Sequence, residues 1–171
     1  MGKLVQVATE TVTSPVASVT LTGIDSDDVY MIAFNNIQET VDNEHLRWRV
    51  TESGTPNTTA NYDWAGKGLN TTTTFFNQAS TNQTYFNSQM ALGTATGEVA
   101  NGIIYIYNAN NSSEYTFCTV ESTSRNASGD LLGRQGGNVL TVASEVDGVQ
   151  FYYVGGNIDT GSTFTLYGLK K

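Results

Sequence analysis

Serine- or cysteine-type nucleophilic catalysis needs a histidine base beside the nucleophile, and this chain of 171 residues holds one histidine, His45, and one cysteine, Cys118. His45 stands between Glu44 and Leu46 at the start of an alternating segment, the setting of an exposed strand-end side chain. Cys118 lies between Phe117 and Thr119 in a strand-like run, without the helix N-terminus or cationic neighbours that lower a thiol pKa. Paired carboxylates can hydrolyse glycosides, but Asp25, Asp27, Asp28, Glu52 and Asp63 are scattered over strand ends and loops. Asp25 and Asp27 fit the first and third places of an EF-hand loop; Val29, Tyr30 and Asn36 then occupy places that need an oxygen ligand, a glycine and a glutamate. One Cys and one His make no zinc framework. Gly133-Arg134-Gln135-Gly136-Gly137 lacks the Lys-Ser/Thr of a phosphate loop. The reading is a non-enzyme without catalytic residues, metal or cofactor.

The remaining candidates are aromatic. Tyr105 and Tyr107 share one face of an alternating run, Tyr152 and Tyr153 close another, and Trp64 falls in a polar, loop-like stretch. Such rings serve as core, as subunit interface, or as a platform on which a sugar stacks.

Composition narrows the field. Charged residues make up 14% of the chain, against ~25% in an average soluble domain. Aromatics reach 11%, which opposes disorder. The formal net charge of −8 opposes nucleic acid and anionic membranes as partners, because both are bound through Lys and Arg. No apolar run approaches the ~20 residues of a membrane-spanning helix, and Met1-Gly2-Lys3-Leu4-Val5-Gln6 has no signal-peptide core. These features predict a soluble protein made in a cytoplasm.

The elements that must position these residues read as strands. Ala17, Val19 and Leu21 alternate with Ser18, Thr20 and Thr22; Leu46, Trp48 and Val50 alternate with Arg47, Arg49 and Thr51. Val29 to Phe34 is apolar on both faces, which predicts a central strand covered on both sides. Ile104 and Ile106 oppose Tyr105 and Tyr107. Residues 52–89 are polar with aromatic islands, and Ser124 to Asn138 reads as a glycine-rich excursion. No segment repeats at helical spacing. Eight to ten strands in one domain, residues 1–171, predict an all-β, two-sheet antiparallel sandwich, jelly-roll-like.

The closing phrase Gly156-Asn157-Ile158-Asp159-Thr160-Gly161-Ser162-Thr163-Phe164-Thr165-Leu166-Tyr167-Gly168-Leu169 resembles the ending of a family of small β-sandwich proteins of tailed bacteriophages. Further blocks follow in family order: Leu21-Thr22-Gly23-Ile24-Asp25, Tyr62-Asp63-Trp64, Gly102 to Asn108, and Val146-Asp147-Gly148-Val149-Gln150-Phe151. Val41-Asp42-Asn43 and residues 52–89 depart from the pattern.

The resemblance implies a virion structural role, in head decoration or at a tail-fibre tip, for a protein made in the host cytoplasm, and brings no catalytic residues with it. With strands expected at both ends and no coiled-coil shaft, the favoured expectation is a capsid decoration or cement protein on the outer capsid surface. Its partners would be further copies of itself, as a homotrimer, and the major capsid protein or another virion protein. The alternative is a tail-fibre or receptor-binding component recognising host glycans. Trp64, Tyr105, Tyr107, Tyr152 and Tyr153 would supply the interface or glycan platform.

Overall fold

The computed structural model describes residues 2–26, 29–72, 75–88 and 91–170. Thirteen strands run through them: β1 Lys3–Thr11, β2 Ser18–Thr22, β3 Val29–Ile37, β4 Arg47–Glu52, β5 Thr55–Pro56, β6 Tyr62–Asn70, β7 Phe75–Gln83, β8 Phe86–Asn87, β9 Ala100–Tyr107, β10 Asn110–Arg125, β11 Leu131–Glu145, β12 Gly148–Tyr152 and β13 Thr163–Lys170. The chain is all-β, and its strands pair antiparallel in two sheets. The larger sheet has the order β1-β13-β3-β9-β10-β11-β6-β7; the smaller is β2-β12-β4-β5, with β8 also on β4.

Without β5–β7 and β10–β11, the remaining eight strands pair as β1-β13-β3-β9 and β2-β12-β4-β8. Renumbered one to eight, these are the orders 1-8-3-6 and 2-7-4-5 of a jelly roll. β10, β11, β6 and β7 extend the larger sheet beyond β9, while the short β5 stays on the smaller sheet. The sandwich is therefore lopsided.

The two-residue period sets the core. Tyr30, Ile32 and Phe34 of β3, Ile104 and Ile106 of β9, and Phe164 and Leu166 of β13 face Val19 and Leu21 of β2, Trp48 and Val50 of β4, and Val149 and Phe151 of β12. Trp48 is fully enclosed, its ring 4.7 Å from Phe86 and 6.2 Å from Phe151. Phe86 meets Tyr62, and Phe151 meets Phe164, each at 4.7 Å. Side-chain hydrogen bonds fix the connections. Asp147 accepts from Thr51 Oγ1 at 2.6 Å and from the Gly54 N–H at 2.7 Å, locking the tight β4–β5 turn. Asparagine takes left-handed positions: Asn43 and Asn108 in turns and Asn36 and Asn82 within strands all hold positive φ, which Asn tolerates better than most side chains.

The segment Ser124 to Asn138 is not an excursion but the end of a long hairpin. Its turn is made by Asn126, whose Oδ1 accepts the N–H groups of Ser128 and Asp130, with Gly129 at φ 79°. Two glycines, one in β6 and one in β11, serve close strand approach. A Cβ on Gly66 would stand 2.8 Å from the Gln135 carbonyl oxygen, and one on Gly136 would meet the carbonyl of Ala65.

Trp48→Ala is expected to cost about 3–5 kcal/mol, as for other enclosed large aromatics. Arg49→Ala, which loses one stacking contact on the outer face, is expected to cost about 0.5–1 kcal/mol. Thermal melts compare the two; similar losses would mean that β4 presents the opposite faces.

Candidate functional site

The face of the larger sheet turned away from the core carries an apolar field. One row crosses all eight strands: Gln6, Tyr167, Met31, Tyr105, Thr119, Gly137, Ala65 and Ala79. Beside it lie Leu4 paired with Leu169, and Phe117 between Tyr107 and Val139. Phe117 is 49% exposed, Leu4 53% and Tyr105 37%, large values for side chains of this size. The face is also grooved. A depression of about 420 Å³ runs between Tyr107, Phe117, Thr119 and Val139 on one side and Asp63, Ala65, Ala79 and Thr81 on the other. Gly137 and the two alanines make it, because they raise no wall between flanking larger side chains.

Only part of the predicted aromatic set comes together here. Tyr105 and Tyr107 stand on this outer face. Tyr152 lies on the far side of the sandwich, on the outer face of the smaller sheet, where the Arg49 guanidinium sits 4.1 Å from its ring centroid. Trp64 is a strand residue rather than a loop residue. It is partly buried against the core on the inner face of β6, with the Arg134 guanidinium 5.0 Å from its ring. Tyr153 is interior, at 4% exposure, and offers no platform. Its parity gave the signal: Val149, Phe151 and Tyr153 fall on one face, and the first two are core.

Tyr153 borders the most perturbed carboxyl of the chain. Glu39 is 2% exposed; its Oε1 accepts the Glu44 N–H at 3.3 Å, while its Oε2 and the Tyr153 hydroxyl have no partner. Burial, reinforced by the charges of Glu44 and Asp42, pushes Glu39 up to about 8. Burial first, then Glu39 and Glu44, also raises Tyr153. This is an interior acid held neutral, not an acid–base pair facing a cleft.

The other reactive types are equally structural. Cys118 is enclosed, and burial raises its thiol. Asp25 accepts from the Tyr30 hydroxyl at 2.8 Å, while Asp27 and Asp28 lie outside the described residues. Among the described residues no group of three or more His, Cys, Asp or Glu side chains could hold a metal ion. Among them, too, no helix is long and apolar enough to cross a membrane.

Three arginine stacks had no counterpart in the sequence reading: Arg47 on Tyr85, Arg49 on Tyr152 and Arg134 on Trp64. Arg134 is 3% exposed. It donates from Nη1 to Gln78 Oε1 at 3.3 Å, and burial lowers it to about 10. Phe117, Met31 and Val139 were also missed. The apolar residues on both faces of Val29 to Phe34 were the available hint.

No protein-family model and no curated protein matches the chain. Among solved structures it is similar, at 13% identity and a TM-score of 0.13, to the VP2 subviral particle of infectious bursal disease virus. That alignment covers 99% of this chain and 41% of the other, and a likeness at this score carries no weight for fold or function.

Because Glu39 holds its proton in the fold up to about pH 8 but loses it near pH 4.5 when unfolded, it lowers stability as pH rises through that window. Glu39→Gln is expected to raise Tm by about 3–8 °C at pH 9 and to change it little at pH 4. An equal shift at both pH values would show that the carboxyl is not neutral in the fold.

Proposed function

We propose that the chain is a structural protein of a bacteriophage virion, a capsid decoration or cement protein that works by docking and carries no catalysis. One observation supports this above the others: the outer face of the larger sheet, in a chain of net charge −8, is paved with Leu4, Met31, Tyr105, Tyr107, Phe117, Val139, Tyr167 and Leu169. Contiguous apolar surface of this kind marks docking sites on soluble proteins. A standard specific interface takes roughly 800 Å² from each partner, about a tenth of this chain's 7886 Å². The central strand β3 supports the same reading. Its core-facing side is Tyr30, Ile32 and Phe34, and its other side, Val29, Met31 and Ala33, is apolar yet only half covered. The jelly roll is an architecture used by viral capsid proteins and by lectins. The partners in this reading are two further copies, in a homotrimer around a capsid symmetry axis, and the major capsid protein. Three weak contacts held together bind far more tightly than one.

A second reading rests on the groove beside Tyr107 and Phe117, where an aromatic wall faces Asp63, an arrangement suited to a sugar ring. In it the protein is a tail-fibre or receptor-binding component that recognises host glycans.

Sedimentation and imaging of particles separate the two. The trimer and its capsid labelling are expected to be lost in Tyr105→Ser/Phe117→Ser, with Tm within about 2 °C because both side chains are substantially exposed. A wild-type monomer that labels only the tail, with glycan binding abolished by Tyr107→Ala, would replace decoration with receptor binding.

A further inference from the structure

The smaller sheet turns a different chemistry outward. Arg47 and Arg49 of β4 point away from the core on either side of buried Trp48, flanked across the pair with β12 by Gln150 and Tyr152. Each guanidinium lies over a tyrosine ring at 4.1 Å from the centroid, Arg47 on Tyr85 and Arg49 on Tyr152. These two positive charges are a quarter of the chain's eight Lys and Arg. Among the described residues neither guanidinium makes an ion pair or hydrogen bond, and Arg49 Nε is shielded from water without a hydrogen-bond partner. Two carboxylates at the far end of the β4–β12 pair, Glu52 and Asp147, are engaged elsewhere. Glu52 Oε1 accepts from Asn57 Nδ2 at 2.8 Å, and both oxygens of Asp147 are taken by Thr51 and Gly54.

We infer that the Arg47/Tyr85 and Arg49/Tyr152 stacks form a docking surface for an acidic protein segment held extended, with carboxylates at every second residue. Stacking fixes the flat of each guanidinium and leaves its edge, a row of donors only, for an acceptor; a carboxylate matches that edge in two hydrogen bonds. The two arginines are two residues apart on one strand face, so their Cα atoms stand about 6.6 Å apart, the spacing of same-face residues on an extended segment. The same stacking argues against a sugar platform at this place, because one face of each ring already carries a guanidinium. Charge complementarity selects the occupant: an isolated basic pair on an acidic protein attracts a negative segment and repels a basic one. This surface is on the opposite side of the sandwich from the apolar field, and the inference does not depend on it.

The test is fluorescence anisotropy of the purified protein with a dye-labelled (Glu-Thr)5 peptide, with (Gln-Thr)5 as the uncharged control and polygalacturonate as the acidic glycan. Saturable binding of the Glu peptide alone is expected, weakened at least ~10-fold in Arg47→Gln/Arg49→Gln and abolished by molar salt. Arg47→Lys/Arg49→Lys keeps both charges and is expected to lose at least ~3-fold, because an ammonium offers no planar fork. That variant also decides the question if the glutamine pair does not fold. Absent binding, binding equal in wild type and variants, or polygalacturonate bound more tightly than the peptide would each overturn the inference.

Discussion

Five rings hold the two sheets together. Tyr62 from the extended half of the larger sheet meets Phe86 on β8; Phe86 meets Trp48 on β4; Trp48 meets Phe151 on β12; and Phe151 meets Phe164 on β13, back in the larger sheet. The chain of contacts crosses from one sheet to the other at both ends, so neither sheet can slide without breaking it. All five are enclosed. Each supplies a large buried area, and tilted or edge contacts between rings add to that area's worth. Everything outward depends on this register. A one-residue slip of β4 would drive Arg47 and Arg49 into the core and expel Trp48.

The insertions give the molecule its asymmetry. Four strands extend the larger sheet past β9, while the smaller sheet stops at β5 and β8. Beneath the extension the inner face changes character, from Ile and Phe to Ser122, Ser124, Arg134 and Asn138, all buried. Arg134 lies against Trp64 there and reaches Gln78. Ser88 and Gly93 lie against this region, Ser88 receiving the Ser122 hydroxyl on its carbonyl and Gly93 donating to the Arg125 carbonyl. A polar interior of this kind contributes less through burial than an apolar one, and the backbone ladders of β10 and β11 carry more of the order.

The sequence made the jelly-roll half legible because its core obeys strict alternation: Val19/Leu21, Leu46/Trp48/Val50 and Ile104/Ile106 face inward while polar or aromatic partners face out. It hid the inserted hairpins for a physical reason. Gly66, Gly68, Gly133, Gly136 and Gly137 all sit inside strands, Gly66 and Gly136 where two backbones approach and Gly68 and Gly133 against the Phe76 and Leu69 side chains, and glycine in a one-dimensional pattern looks like a turn. Trp64 therefore read as a loop residue. The candidate site was half legible. Tyr105 and Tyr107 fell on the outer face by parity, but which side of the sheet lacks a cover is set by the partner sheet's extent, which no local pattern encodes. The arginine stacks join residues distant in sequence, Arg47 with Tyr85 and Arg49 with Tyr152, so spacing carries no trace of them.

Cys118 ties these observations to the bench. It is the chain's single thiol, buried at 3% exposure, and burial pushes its pKa well above the usual thiol range. The native protein is thus expected to react slowly with maleimides and with oxidants that act on thiolates. A cysteine introduced on either outer face becomes the sole reactive handle, and a dye or heavy-atom cluster placed there can trace how each face is oriented on a particle without first deleting the natural residue.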